Sequence, residues 1–183
     1  MRPYRSIILK EVAAVLGRIN DRGTKLLLEE LRKTKRVYIT GVGRSGLVVK
    51  AFGQRLMHLG WEVHLADEIT APAIGRRDLL IACSGSGSTH LPVYMARLAH
   101  RIGARCVALT ARPRSALGRL ARTIVLAAPL EAGERVGGLR TRQLARSLFE
   151  QALFLYLDSI ILTLKEELHI PSSKLLRRHA NLE

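Results

Sequence analysis

The sequence predicts a doubly wound α/β fold with five parallel strands in the order 2-1-3-4-5. Three observations predict it. Short apolar runs alternate with helical patterns through the middle of the chain, an arrangement that builds a parallel sheet covered on both faces. Two of the helical patterns end on a glycine, Gly60 and Gly103, as left-handed helix caps do. Two loops rich in glycine and serine leave the first and third apolar runs. In the order 2-1-3-4-5 those strands flank the switch point at which ligands bind.

Taken in order, residues 6–33 read as an N-terminal helix, with Ile8, Val12, Val15 and Ile19 spaced for one face and a break expected at Asp21-Arg22-Gly23. The α/β core spans 37–128. Its first strand is 37–40, followed by a helix over 47–59 that Gly60 closes, and a second strand over 62–66. A loop over 67–75 leads to the third strand, which ends at Cys83. The helix at 90–102 carries Pro92 in its first turn, where a missing N–H is harmless. The remaining core elements are a strand at 105–110, a short helix at 115–121 and a strand at 123–128. A mobile loop is expected over 129–138, then one long helix over 140–168 and a polar, basic tail over 171–183. At 183 residues the chain suits one domain, 1–183.

The net charge of +15 is unusual, but its 30 Lys and Arg are scattered rather than gathered in a block. Only eight aromatic residues (one Trp, four Tyr, three Phe) are available for base stacking. Nucleic acid is therefore not the expected partner. Cys83 and Cys106 both lie in apolar runs and read as small buried hydrophobes. With no CxxC or His/Cys cluster, no metal site is expected. The N-terminus lacks a signal-peptide pattern, and the apolar run 152–164 contains Asp158 and Ser159 and is short for a bilayer. The expectation is a cytoplasmic protein with no membrane partner. Residues 152–162 are apolar nearly all round the helix, which needs cover on several sides and predicts a homo-oligomer.

The stretch from Asp78 to Thr89 carries the chemistry. A buried strand runs into Ser84-Gly85-Ser86-Gly87-Ser88-Thr89, four hydroxyls where a new helix presents outward N–H groups. That combination suits a phosphate group, beyond what one cap or turn requires. The first loop, Gly41-Val42-Gly43-Arg44-Ser45-Gly46, matches GxGxxG, and Asp67 lies 21 residues beyond Gly46. This is also the dinucleotide fingerprint. Arg44 and Ser45 fit a terminal phosphate better, the second loop has no part in that fingerprint, and the chain has no room for a substrate domain.

The strand, the G-x-G-R-S-G loop, the helix ending Arg55-Leu56-Met57-His58-Leu59-Gly60 and the S-G-S-G-x-T loop together resemble the sugar isomerase (SIS) domain. Within that group the chain is similar to the 6-phospho-3-hexuloisomerases, through Ser147-Leu148-Phe149-Glu150 and the closing residues 178–183. The resemblance implies a flavodoxin-like three-layer αβα sandwich, a homotetramer with shared sites, and no cofactor. It implies interconversion of D-arabino-3-hexulose 6-phosphate and fructose 6-phosphate, as in the ribulose monophosphate route. By position it assigns phosphate binding to Ser84, Ser86 and Thr89 with Gly85, Gly87 and Ser88, and to Gly43, Arg44 and Ser45 in the first loop.

The same resemblance makes Glu150 the proton-transferring base. A histidine suits donation to the carbonyl or hydroxyl oxygens, and His58 and His179 are the candidates, with a surface or interface role as the alternative for each. From the residues alone, Glu150 reads as a solvated helix glutamate paired with Arg146. His58 lies about three turns into its helix by helical rise, nearer a neighbouring subunit's site than its own. Departures from the pattern are Ser88, where glutamate is usual, His90, and the segment Leu144-Ala145-Arg146-Ser147-Leu148, where relatives tend to carry a Gly-Thr pair. A sugar-phosphate sensor without catalysis and an isomerase of another phosphosugar are the alternatives.

Overall fold

A computed structural model describes residues 3–179 and 181. Its sheet follows the order β2-β1-β3-β4-β5, with β1 at Arg36–Thr40, β2 at Glu62–Leu65, β3 at Leu79–Cys83, β4 at Arg105–Thr110 and β5 at Arg122–Val125. Every pairing in it is parallel, for example Val37 with Leu79 and Leu79 with Arg105.

Successive side chains of a strand point to opposite faces, and this divides the core in two. Leu79, Ile81 and Cys83 of β3 face α1 (Tyr4–Leu16), α2 (Asp21–Arg32), α3 (Gly43–Leu59) and α6 (Ser147–Glu167). Leu80 and Ala82 face α4 (His90–Ile102) and α5 (Ala116–Leu120). The expected αβα sandwich is thus the observed one.

Ion pairs close the end of the sheet at which the strands begin. Arg36 of β1 holds Asp78, just before β3, at 2.8 Å. Buried Glu30 of α2 holds Arg105 of β4 at 3.0 Å and Arg122 of β5 at 3.1 Å. Part of the positive charge is engaged here, and the opposite end of the sheet is left to carry the loops.

Several boundaries differ from expectation. The first helix is two helices, broken before Asn20 rather than at Asp21, because the Asn20 side chain accepts from Arg22 N–H and caps α2. Helix α3 begins at Gly43, four residues early. Gly60 and Gly103 close α3 and α4 with φ of +116° and +82°. Within 129–146 lies a hairpin, β6 (Arg135–Val136) and β7 (Leu139–Arg140), turning at Gly137-Gly138. This loop is tied down, since Glu134 accepts from Leu130 N–H at 2.6 Å and pairs with Arg112.

Helix α6 starts at Ser147, not at 140. Residues 141–143 are instead bonded to the buried carboxylate of Glu11 in α1. Helix α6 is long and apolar enough to cross a membrane by length and composition, yet Phe149, Leu153, Leu157, Ile160 and Leu164 are buried in the core against the neighbouring helices. In the tail, α7 covers Ser172–Arg177. Of the closing residues 178–183, Ala180, Leu182 and Glu183 lie outside the described residues.

Candidate active site

The two Gly/Ser loops and the start of α6 meet beyond the carboxyl ends of β1 and β3. They enclose a cleft of ≈ 310 Å³ lined by Gly43, Arg44, Ser45, Ser84, Gly85, Ser86, Thr89 and Glu150 among others. The first helical bond of α3 is Gly46 N–H to Val42 C=O. The N–H groups of Gly43, Arg44 and Ser45 therefore precede the helical ladder. With α4 starting at His90 and α6 at Ser147, three helix N-termini approach the cleft and favour an anion there.

The glycines of the first loop set how closely α3 approaches the sheet. A Cβ on Gly46 would lie 2.6 Å from Gly41 O. Gly43, at φ +60°, has open space around it and supplies the turn instead. In the second loop, Ser84 Oγ accepts from Gly87 N–H at 3.0 Å and lies 2.8 Å from Thr89 Oγ1. Ser88 donates to Ser86 Oγ through both its N–H, at 3.3 Å, and its Oγ, at 3.0 Å. Behind the loop, Leu117 N–H donates to Gly87 O and Ala111 N–H to Gly85 O. The loop is thus pinned to β4 and α5. Gly87 forms its inner wall and Ser88 its exposed rim.

Across the cleft stands Glu150, 6% exposed, in the first turn of α6. Arg44 Nε donates to its Oε2 at 2.5 Å. The sequence suggested Arg146 as partner of Glu150 and phosphate as partner of Arg44. The fold makes a different pair, 106 residues apart in the chain. Cys83 lies in the floor of the cleft. Burial, and then the Glu150 charge, push its thiol far above the usual range, so it stays a neutral apolar surface. Burial likewise pushes Cys106 up to about 12. Both cysteines are the small hydrophobes expected.

His58 and His179 do not reach this cleft within one chain. His58 lies about 22 Å along α3 from Gly43 by helical rise, and its ring stacks on His179 at 5.1 Å. Around His58 are Arg55, Asp158 and Lys165. Asp67, the acid of the dinucleotide reading, is exposed in the turn after β2 and is not among the residues lining the cleft. Val42, Ala145 and Arg146 also line the cleft, and sequence reasoning gave none of them a role there. Only the nearness of Arg146 to Glu150 in the chain pointed to it.

Residues 30–155 match the SIS domain family. The 3-hexulose-6-phosphate isomerase of Mycobacterium gastri is 38% identical over 97% of this chain and 89% of its own length. Its namesake from Bacillus subtilis is 34% identical over 98% of this chain and 97% of its own. A crystal structure from Methanococcus jannaschii, described as inferring a function of 3-hexulose-6-phosphate isomerase, superposes with a TM-score of 0.83. It has 28% identity and full coverage of both chains.

Proposed function

The chain belongs to the SIS domain family, and from that premise we propose that it interconverts D-arabino-3-hexulose 6-phosphate and fructose 6-phosphate. The observation that carries this reading is the placement of one buried carboxylate opposite a hydroxyl-lined anion loop in a single cleft. The phosphate is held by Ser45, Ser84, Ser86 and Thr89, aided by the backbone of Gly43 and Gly85, while Gly87 and Ser88, whose N–H groups are bonded to Ser84 and Ser86 and which do not line the cleft, hold the loop in shape. That anchor fixes the sugar carbons relative to Glu150.

Moving the carbonyl from C3 to C2 removes the proton on C2 and returns one to C3. A cis-enediolate lies between the two steps, and the O2 hydroxyl proton passes to O3. A single carboxylate on one face of the sugar can carry the carbon-bound proton both ways. Arg44 engages Oε2 of Glu150 and sets its orientation. No described group donates to Oε1, which is the oxygen assigned to the proton. The apolar Cys83 and Phe149 beside the cleft help to exclude water from the enediolate.

The working unit is read as a homotetramer in the cytoplasm, serving the ribulose monophosphate route. What supports self-association is an apolar hollow of ≈ 460 Å³ that shares Arg44 and Glu150 with the cleft. Leu9, Leu47, Phe154 and Leu155 on its walls are 67%, 68%, 41% and 47% exposed. In such an assembly His179 is the histidine left to assist from a neighbouring subunit, with His58, 2% exposed, stacked beneath it.

Glu150→Gln tests the assignment of the base. Turnover should fall by about 10²–10⁴-fold, the usual worth of general acid–base catalysis, while fructose 6-phosphate binding is retained. Normal turnover by this variant would remove Glu150 from the chemistry.

A further inference from the structure

Arg146 has no part in the mechanism above, yet among the described residues lining the cleft it is the one non-glycine with a positive φ. It caps α6 at φ +64° and ψ −7°, a left-handed conformation that residues with a side chain seldom adopt. Its N–H donates to Leu130 O at 2.6 Å and its C=O accepts from Glu150 N–H at 3.1 Å. Just upstream, Glu11 accepts from Thr141 Oγ1 at 2.8 Å, Arg142 N–H at 3.0 Å and Gln143 Nε2 at 3.0 Å. A strained residue persists where its surroundings over-determine it, and such residues cluster at ligand sites.

The side chain reaches the same place. Arg146 is exposed and lines the cleft together with Ser84, Ser86, Thr89 and Glu150. Among the described residues its guanidinium makes no ion pair, whereas Arg44 is held on Glu150. The Ser84–Thr89 loop offers hydroxyls and backbone N–H groups but no cation. A phosphate dianion seated there lacks a counter-charge from the loop itself.

We propose that the Arg146 guanidinium supplies it, donating to the phosphate oxygens of the substrate from the α6 side. The inference rests on reading the cleft as a phosphosugar site. A guanidinium suits the task because its planar fork donates to two oxygens of a phosphate at once. The left-handed backbone is kept because it aims that fork, although glycine would hold the same turn without strain.

The test is calorimetric titration of the full chain with inorganic phosphate and with fructose 6-phosphate, alongside thermal unfolding. Arg146→Gly and Arg146→Asn both tolerate the backbone and remove the charge. Each should lose at least tenfold in affinity for both probes at unchanged or raised Tm. Arg146→Lys should recover part of the affinity.

Affinity within twofold of the parent in the glycine variant overturns the proposal. So does a loss of affinity accompanied by a fall of several degrees in Tm, which marks a structural role. A parent protein that binds neither probe overturns it as well. A parent that binds both probes but does not interconvert fructose 6-phosphate and 3-hexulose 6-phosphate, and weakens as described on substitution, removes the isomerase reading and upholds Arg146.

Discussion

Replacing Gly87 by alanine should damage the fold and the phosphate loop together. Gly87 sits at φ +64°, and an added Cβ would lie 1.9 Å from Ser115 Oγ and 2.5 Å from Ser115 Cβ. Ser115 cannot simply withdraw, because its Oγ caps α5 by accepting from Gly118 N–H at 3.2 Å. The left-handed backbone costs a non-glycine residue about 1–2 kcal/mol. Forced overpacking adds about 1–3 kcal/mol, and the stiffer unfolded chain returns about 0.4–1 kcal/mol. The net loss is about 2–4 kcal/mol, which for a chain of this length lowers Tm by roughly 5–15 °C.

Gly43→Ala is the control. Its φ is +60°, but nothing lies within 4 Å of the added Cβ, so only the backbone cost of about 1–2 kcal/mol applies, less the same unfolded-chain return of about 0.4–1 kcal/mol. Thermal unfolding followed by circular dichroism, with KM measured on each variant, separates the two. Gly87→Ala should unfold well below Gly43→Ala and show at least a tenfold higher KM. Equal Tm values for the two variants would refute the claim that Ser115 and α5 hold the loop in shape.

Two further outcomes follow from the same structure. Burial pushes the Asp78 carboxyl up, but the Arg36 hydrogen bond and Gly75 N–H outweigh it, and the net displacement is downward. A lowered folded pKa gives stability that is full above the unfolded value of about 3.9 and is lost as pH falls through the folded value. Asp78→Asn should therefore lower Tm at pH 7 and flatten its decline in acid; an unchanged acid limb would contradict the pairing. On the apolar hollow, Leu155→Asp should reduce the particle mass measured by light scattering. A parent protein already running at the 20.3 kDa of one chain would contradict the tetramer.

What the sequence made legible was local or periodic. The buried strands show as apolar runs bounded by polar residues. Gly60 and Gly103 mark helix ends because a left-handed cap selects glycine. The Gly/Ser loops show their position because the strand order brings the exits of β1 and β3 together. Two misses were also local. Asn20 is a capping residue ahead of Asp21, and Gly137-Gly138 is a hairpin turn signal.

The rest depended on contacts remote in sequence. Nothing near residue 140 announces that Glu11, about 130 positions earlier, holds 141–143 out of the helix. Likewise the Arg44–Glu150 pair, which leaves Arg146 facing the cleft, arises only once α3 and α6 pack side by side. Separations of that kind leave no periodic trace in the chain.

The central claim is isomerisation at this cleft. Its most direct measurement is a coupled assay for fructose 6-phosphate formed from enzymatically prepared 3-hexulose 6-phosphate, with EDTA present throughout. The account predicts sustained turnover by the parent chain and loss of that turnover in Glu150→Gln. No turnover by a parent protein that fructose 6-phosphate still stabilises against heat would contradict it, and would leave a sugar-phosphate binding protein in its place.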